Sequence, residues 1–271
     1  MKKKLIFHFY IPDDWDTHPI VKLHFKLLRR YVNFFDEVKF VLAIDNTEDI
    51  DTILKIENGL IDFGFHNVEF KIIKNNPLFR ESITFHDDFV LGIKHYDGVL
   101  YFGHSKGIFD ISGYGNDYSP ISHWVCIMYY QAFSDSYFYE ISSNSPYLII
   151  GSNKCIINTN GRQFSFYAKY GYCYGGTFFG INCPKLVEWS KKNDVNIETP
   201  LSGMYCSEQY PGYVIPIELA YGRSVIYPAL NNIYLDDKIA IKLNFTKTEQ
   251  EEYLRFYDSI EKETDIPFLR I

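Results

Sequence analysis

The tetrapeptide His104-Ser105-Lys106-Gly107 is the part of the sequence whose residue types are best suited to chemistry. Its imidazole, hydroxyl and ammonium groups suit phosphate oxygens, and Gly103 and Gly107 allow the backbone to turn sharply beside a ligand. A lysine ammonium can offset diphosphate charge without a metal ion, and a histidine can add a hydrogen bond or a proton. The pattern predicts an anion-binding turn. A hydrophilic turn with a surface lysine explains the same residues equally well.

Two other polar stretches follow apolar runs in the same way, and they are residues 10–16 and Asp45-Asn46. In an open parallel sheet the ligand crevice lies outside the carboxyl ends of the strands. The three stretches can therefore share one site only if their strands are neighbours in a parallel sheet.

The first half of the chain alternates short apolar runs with segments of helical length or helical spacing. The predicted strands are 5–11, 38–44, 68–73 and 99–102, and the predicted helices are 20–35, 50–63 and 82–96. Connections of helical length between short apolar strands imply parallel pairing and right-handed crossovers. The sequence thus predicts an α/β fold with a Rossmann-like sheet.

The second half of the chain is less regular. The predicted elements are a helix at 120–142, strands at 147–150 and 177–181, a helix starting at Pro184 and a charged helix at 246–260. From about residue 194, loops and short elements dominate the prediction. No repeat or linker divides the chain, so one elaborated domain of 271 residues is expected.

The net charge and the aromatic content limit the kinds of molecule that this protein is expected to bind. The net charge is −7 and the pI is about 5.6, which excludes a nucleic-acid backbone as the main partner because that partner requires clustered Lys and Arg. Aromatic residues make up 18% of the chain. They suit stacking on sugars or bases, but filling the core is the simpler explanation.

The cysteines and the amino terminus predict a cytoplasmic protein. The five cysteines are odd in number and contain no CxxC pair, as expected of reduced thiols. The apolar run after Met1-Lys2-Lys3-Lys4 is interrupted by His8 and is too short for an export signal or a membrane span. No integral membrane segment is expected.

Four segments together resemble a known group of proteins. Residues 100–107 carry the H-[ST]-K-G segment of bacterial and algal proteins related to GT-A glycosyltransferases from polysaccharide-synthesis loci. Residues 74–81 resemble the Asn-then-Arg-Glu stretch before it, residues 175–182 resemble the G-T-F-F-W-x-N strand, and residues 207–212 resemble a Glu-containing loop. The resemblance covers roughly positions 1 to 215, and order and spacing carry it more than any single motif does.

The resemblance implies one GT-A-like domain over residues 1–271, with a mixed sheet flanked by helices. Residues 1–110 would bind a nucleotide-sugar donor, a UDP-sugar in the first instance, and residues 111–271 would form the acceptor half and the C-terminal helix. The implied activity is transfer of the sugar to a glycan or lipid-linked acceptor in surface polysaccharide synthesis. Peripheral contact with a membrane is left open.

The implied donor site departs from the usual metal site of such enzymes. His104, Ser105 and Lys106 occupy the place of the Asp-x-Asp motif, which puts dependence on Mn²⁺ or Mg²⁺ in doubt. No metal ligands are assigned. Asp87-Asp88 is interpreted as helix surface, while Asp13-Asp14-x-Asp16 can serve a helix N-terminus or a metal.

Other donor contacts are implied at Tyr10, Asp45, Arg80 and Glu81. Tyr10 would stack beneath the base or belong to the core. Asp45 would meet uracil or ribose, although a turn-forming Asp-Asn explains it as well. Arg80 and Glu81 would lie near the base or ribose, and a charge pair at a helix N-terminus is the alternative.

On the acceptor side, Glu208 is the predicted base for an incoming hydroxyl, because it lies in a Pro- and Gly-bounded loop; His123 is a weaker candidate. Capping of a turn is the alternative role for Glu208. Gly176 and Thr177 would shape the acceptor floor and Asn182 would contact a sugar hydroxyl. A strand with a small-residue entrance is the structural alternative.

Two other functional classes stay open. A hydrolase of sugar or phosphate esters would need a carboxylate pair or a metal cluster, and the sequence has no HExxH motif. A noncatalytic carbohydrate-binding protein would bind sugars without affinity for nucleoside diphosphates.

Overall fold

The computed structural model describes residues 1–105, 108, 119–142, 144–152, 154–156, 169–199, 206–222, 224–226 and 246–263. Its centre is a seven-stranded mixed sheet in the order β3-β2-β1-β4-β8-β5-β9. The first four strands in the chain are parallel and adjacent: β1 (Lys2–Tyr10), β2 (Glu37–Ile44), β3 (Glu69–Lys74) and β4 (Gly98–His104).

The strands from the second half extend this sheet past β4. Here β8 (Phe179–Asn182) runs antiparallel to both β4 and β5 (Ile149–Gly151), and β9 (Ala220–Tyr221) pairs in parallel with β5. A second sheet of three strands has the order β10-β6-β7. Its members are β6 (Lys154–Ile156), β7 (Tyr172–Tyr174) and β10 (Ser224–Ile226).

Helices cover both faces of the large sheet. They are α1 (Pro19–Tyr31), α2 (Ile50–Asp62), α3 (Ser82–Thr84), α4 (Ser119–Ala132), α5 (Asp135–Ser142), α6 (Cys183–Asn193), α7 (Cys206–Val214) and α8 (Lys247–Glu263). A π-helical segment continues α3 over Phe85–Val90, and 3-10 turns lie at Val32–Phe34, Ile93–His95 and Ile217–Leu219.

The central strand β1 is buried because it lies between two hydrophobic layers. Phe7 and Phe9 face a cluster with side chains of α1, α4 and α8, whereas Ile6 faces a second cluster with the π-helical segment, α6 and α7. Side chains alternate between the faces of a strand, so burial on both sides yields a nearly continuous apolar run. This is why residues 5–9 are all buried.

The predicted α/β class is confirmed: a Rossmann-like mixed sheet is flanked by helices, and its described C-terminal strands are short. The prediction of one helix over 82–96 is wrong, because the segment changes from α to π geometry at Phe85 and ends in a 3-10 turn. The aromatic-rich helix predicted within 120–142 is present as α4, but it ends at Ala132 and a second helix, α5, follows. Ser134 lies between the two helices and accepts a hydrogen bond from the Tyr137 amide at 3.4 Å, which caps α5.

Within the described ranges, no helix combines the length and the apolar character that crossing a bilayer requires.

The contact between β4 and β8 depends on a glycine beneath an aromatic ring. Tyr101 and Gly180 are register partners across the antiparallel pair, and a Cβ atom added to Gly180 would lie 2.7 Å from the Tyr101 ring. The ring is fully buried. Its hydroxyl has no hydrogen-bond partner among the described residues, so the ring supplies packing alone.

Replacing Gly180 by Ala is therefore expected to lower the free energy of unfolding by about 1–3 kcal/mol, because the added methyl group overpacks this contact. The matched change Tyr101→Phe keeps the ring and removes a buried, unsatisfied hydroxyl, so stability should be unchanged or higher. Urea denaturation of both variants measures the effects. A G180A variant as stable as the wild type would contradict the assigned packing.

Candidate functional site

The strand order reverses between β1 and β4, whose carboxyl ends lie side by side. From β1 the chain proceeds to β2 and β3 on one side, and β4 then pairs with β1 on the other side. Such a reversal of strand order is a topological switch point, where doubly wound sheets bind ligands. The register pairs His8 with His104 at this end of the two strands.

A row of polar groups crosses the carboxyl edge of all four parallel strands. Asn75 donates to Asp45 at 2.8 Å, and the Tyr10 hydroxyl donates to the other oxygen of Asp45 at 3.1 Å. The Tyr10 amide donates to the Ser105 hydroxyl at 2.9 Å. Each residue directly follows or ends its strand, so the row exists because β3, β2, β1 and β4 end at one level. We call these four residues the edge row.

Tyr10 is a neutral phenol within this row. Its partial burial, its hydrogen bond to Asp45 and the nearby charges of Asp13 and Asp14 together raise its pKa to about 12. The ring is half-buried and packs against the core. Tyr10 therefore takes the predicted core role with its ring, and its hydroxyl reaches Asp45 in the edge row. Stacking beneath a base stays a prediction.

Beneath the edge row lies a buried network that joins the two halves of the chain. His104 Nδ1 lies 3.5 Å from one Glu81 oxygen, and the Ser207 hydroxyl donates to the other at 3.1 Å. The hydroxyl groups of Ser207 and Thr177 are 3.3 Å apart. We call Glu81, His104, Ser207 and Thr177 the buried network, since each is at most 8% exposed.

Glu81 remains a carboxylate inside the buried network. Burial alone would raise its pKa, but the charge of His104, a hydrogen bond with that ring and a backbone hydrogen bond outweigh burial and hold the pKa well below its usual range. His8 behaves differently. Burial lowers the pKa of His8 to about 4, although Glu81 opposes the shift. His8 is thus a neutral imidazole, with Nδ1 at 2.9 Å from the Thr84 hydroxyl.

The turn between β7 and β8 is strained. The Thr177 amide bonds the Tyr174 carbonyl at 3.2 Å, and φ is +88° at Gly176 and +56° at Thr177. Glycine adopts positive φ readily, whereas a β-branched residue there is an outlier that costs about 1–3 kcal/mol. A Glu208 oxygen accepts from the Gly176 amide at 3.0 Å. Glu208 and Ser207 both belong to α7, and their bonds to Gly176 and Thr177 thus hold this turn against the helix.

The placement of Glu208 on a helix corrects the prediction of a loop at 207–212. Pro211 and Gly212 disfavour helix, which explains the prediction, yet both lie within α7. Tertiary contacts override the propensity. Tyr210 is fully buried, packs against Phe85 and donates its hydroxyl to the Ile197 carbonyl at 2.6 Å.

Most of the described candidate residues fall into the edge row or the buried network, or next to them. Asn182 does not join them. It pairs with Val99 at the opposite end of β4, caps α6 through the Lys185 amide and donates to the Ile141 carbonyl. Arg80 is exposed with φ +44°, next to Glu81. Lys106, Gly107 and the side chain of His123 lie outside the described residues.

Sequence reasoning missed His8, Thr84 and Ser207. The only available signal was His8, a polar residue inside an otherwise apolar strand. Thr84 and Ser207 are far apart in the sequence and share no motif, so only the folded chain reveals their contacts with His8 and Glu81.

The carboxylates of Asp45 and Asp88 are already paired. Both oxygens of Asp45 accept hydrogen bonds, and Asp88 forms ion pairs with Lys39 at 3.1 Å and Lys71 at 2.7 Å. The Asp88 side chain is 9% exposed. The residue is therefore more buried than the predicted position on a helix surface implies. The described residues contain no group of three His, Cys, Asp or Glu side chains arranged to hold a metal ion.

The lowered pKa of His8 makes stability depend on pH in a defined direction. The unfolded chain takes up a proton near pH 6.5, whereas the folded chain resists it until about pH 4, so stability should fall by about 3 kcal/mol as the pH drops from 7 to 4. Asn in place of His8 can bond Thr84 without titrating. Urea denaturation should show a smaller loss in H8N over this range, and equal losses in both proteins would refute the assignment.

Comparisons with known proteins give only distant likenesses. No family model and no curated protein matches the chain. Among solved structures, the chain is similar to 4-diphosphocytidyl-2C-methyl-D-erythritol synthase from Anaerococcus prevotii DSM 20548, with 11% identity and a TM-score of 0.40 over 96% of this chain and 99% of that one. It is also similar to S. aureus TarS 1-349, with 12% identity and a TM-score of 0.34 over 98% of this chain and 73% of that one. The same protein in complex with UDP gives a TM-score of 0.29. The fold assignment therefore rests on the strand order and register of the chain itself.

Proposed function

We propose that this protein is a glycosyltransferase of the GT-A type that uses a nucleotide-sugar donor. Its donor site lies at the carboxyl ends of β1 to β4, and its acceptor side is formed by the second half of the chain. As in the sequence prediction, the first half is residues 1–110 and the second half is residues 111–271. The proposed setting is the cytoplasm, with surface polysaccharide synthesis as the process.

The observation that carries this proposal is the edge row at the topological switch point. It offers an aromatic ring, a carboxylate, an amide and a hydroxyl along one edge. A nucleoside diphosphate needs the same set of partners: a flat surface for the base, acceptors for ribose hydroxyls and donors for phosphates. The H-[ST]-K-G resemblance supports the same assignment, because that segment begins at the end of β4.

Each donor residue then has a role set by its position. Tyr10 stacks beneath the base, and Asp45 accepts from the base or a ribose hydroxyl. Ser105, Lys106 and Gly107 meet the diphosphate, with the Lys106 ammonium supplying charge that a metal ion would otherwise supply. Arg80 lies at the end of the segment that leaves β3 and begins with Asn75.

The acceptor side is proposed at the strained turn and α7. Gly176 and Thr177 form its floor, and Glu208 is held above them by the Gly176 amide. A carboxylate in this place can accept a proton from an acceptor hydroxyl. Asn182, at the far end of β8, is left out of the proposed acceptor contacts because its side chain caps α6.

Isothermal titration of the wild type with UDP, with and without MnCl₂, tests the donor site. We expect binding without the metal. Tyr10→Ala should weaken UDP binding by about 1–3 kcal/mol, the usual worth of stacking between a base and an aromatic ring. The control Tyr10→Phe keeps the ring and should bind almost as the wild type does. Absence of binding to UDP and GDP, together with binding to free sugars, would favour the carbohydrate-binding class.

A second titration tests the lysine of the tetrapeptide. Lys106→Ala should reduce affinity for UDP while leaving the weaker binding of uridine unchanged, because an ammonium binds phosphate oxygens and uridine has none. Charge-assisted hydrogen bonds of this kind contribute about 1.5–3 kcal/mol. Equal affinity of K106A and the wild type for UDP would remove Lys106 from the site.

A further inference from the structure

Glu81 has no place in direct ligand binding. Its side chain is 8% exposed, one oxygen is held by Ser207 and the other faces His104. The sequence placed Glu81 near the base or ribose, whereas in the structure its partners are protein groups. Its carboxylate therefore acts on a ligand only through His104.

The two nitrogens of His104 are in different situations. Nδ1 faces the Glu81 carboxylate at 3.5 Å, and a carboxylate only accepts hydrogen bonds, so Nδ1 carries a proton. Nε2 is buried and has no hydrogen-bond partner within the described part of the chain. A buried polar atom without a partner is costly, and at a topological switch point a ligand atom can complete it.

The position of the ring limits what that partner can be. His104 ends β4 beside His8 of β1, at the switch point, and Ser105 of the edge row follows it. His8 is neutral, so it supplies no positive charge here. An imidazole ring that donates from both nitrogens can bind Glu81 through Nδ1–H and an anion through Nε2–H.

We propose that His104 Nε2 binds a phosphate oxygen of the nucleoside diphosphate, and that Glu81 is the positioning residue that orients the ring. The inference rests on the proposed donor site and specifies one of its contacts. It also gives Ser207 a function. By donating to Glu81, α7 of the second half fixes a phosphate contact of the first half.

Two substitutions of His104 separate its two nitrogens, since Asn can replace Nδ1 and Gln can replace Nε2. His104→Asn keeps a donor for Glu81 but removes the ligand contact, so its affinity for UDP in titration calorimetry should fall about 10- to 100-fold. His104→Gln should retain more of the affinity. Uridine, which lacks phosphate, should bind both variants as it binds the wild type.

Glu81→Gln tests positioning by a readout that a purely structural role would not change. In protein labelled with ¹⁵N-histidine, the Nε2 signal of His104 should shift when UDP is added, as expected for a new hydrogen bond at that nitrogen. In E81Q this shift should be smaller, with UDP affinity reduced about tenfold or more. Signals of His104 that are identical in E81Q and the wild type would overturn the role of Glu81.

The outcomes separate this inference from the proposed function. If the wild type binds UDP and H104N binds it equally well, the phosphate contact is wrong and the donor site stands. If the wild type binds neither UDP nor inorganic pyrophosphate, both are wrong. Loss of UDP affinity in H104N, with uridine binding retained, supports both.

Discussion

The site depends on keeping one carboxylate ionised away from water. Transferring Glu81 into the interior is unfavourable unless charge and hydrogen bonds compensate for lost hydration. His104 supplies the charge and Ser207 supplies a hydrogen bond, and these two residues come from different halves of the chain. The first half alone would leave Glu81 without its Ser207 partner. The buried network therefore makes the geometry of the crevice a property of the whole domain.

Much of the fold could be predicted because it follows from local patterns. The runs that form β1, β2 and β4 are buried on both faces, and buried parallel strands produce continuous apolar runs. The α7 helix could not be predicted, because Pro211 and Gly212 disfavour it and only contacts of Tyr210 with distant residues stabilise it. The antiparallel direction of β8 likewise depends on pairing that no local pattern encodes.

The candidate site was only partly predictable for a related reason. His104, Ser105 and Tyr10 were identifiable because they follow apolar runs, and strand ends meet at one edge whatever the loops do. The pairing of Glu81 with His104 and Ser207 spans up to 126 residues of sequence. The resemblance of residues 74–81 alone indicated that Glu81 matters. It indicated neither the protein partners of Glu81 nor the burial of its side chain, and it therefore suggested a contact with the ligand.

Thr177 has a left-handed backbone conformation, and the shape of the turn before β8 therefore depends on contacts with α7. A β-branched residue favours negative φ, so other contacts must hold Thr177 at positive φ. These contacts are the one between the Thr177 and Ser207 hydroxyl groups and the hydrogen bond from the Gly176 amide to the Glu208 carboxylate. The contacts with α7 thus determine the shape of this turn. A displacement of that helix would release the strain at Thr177 and remove the Ser207 hydrogen bond to Glu81 at the same time, so α7 couples the turn to the Glu81 contact.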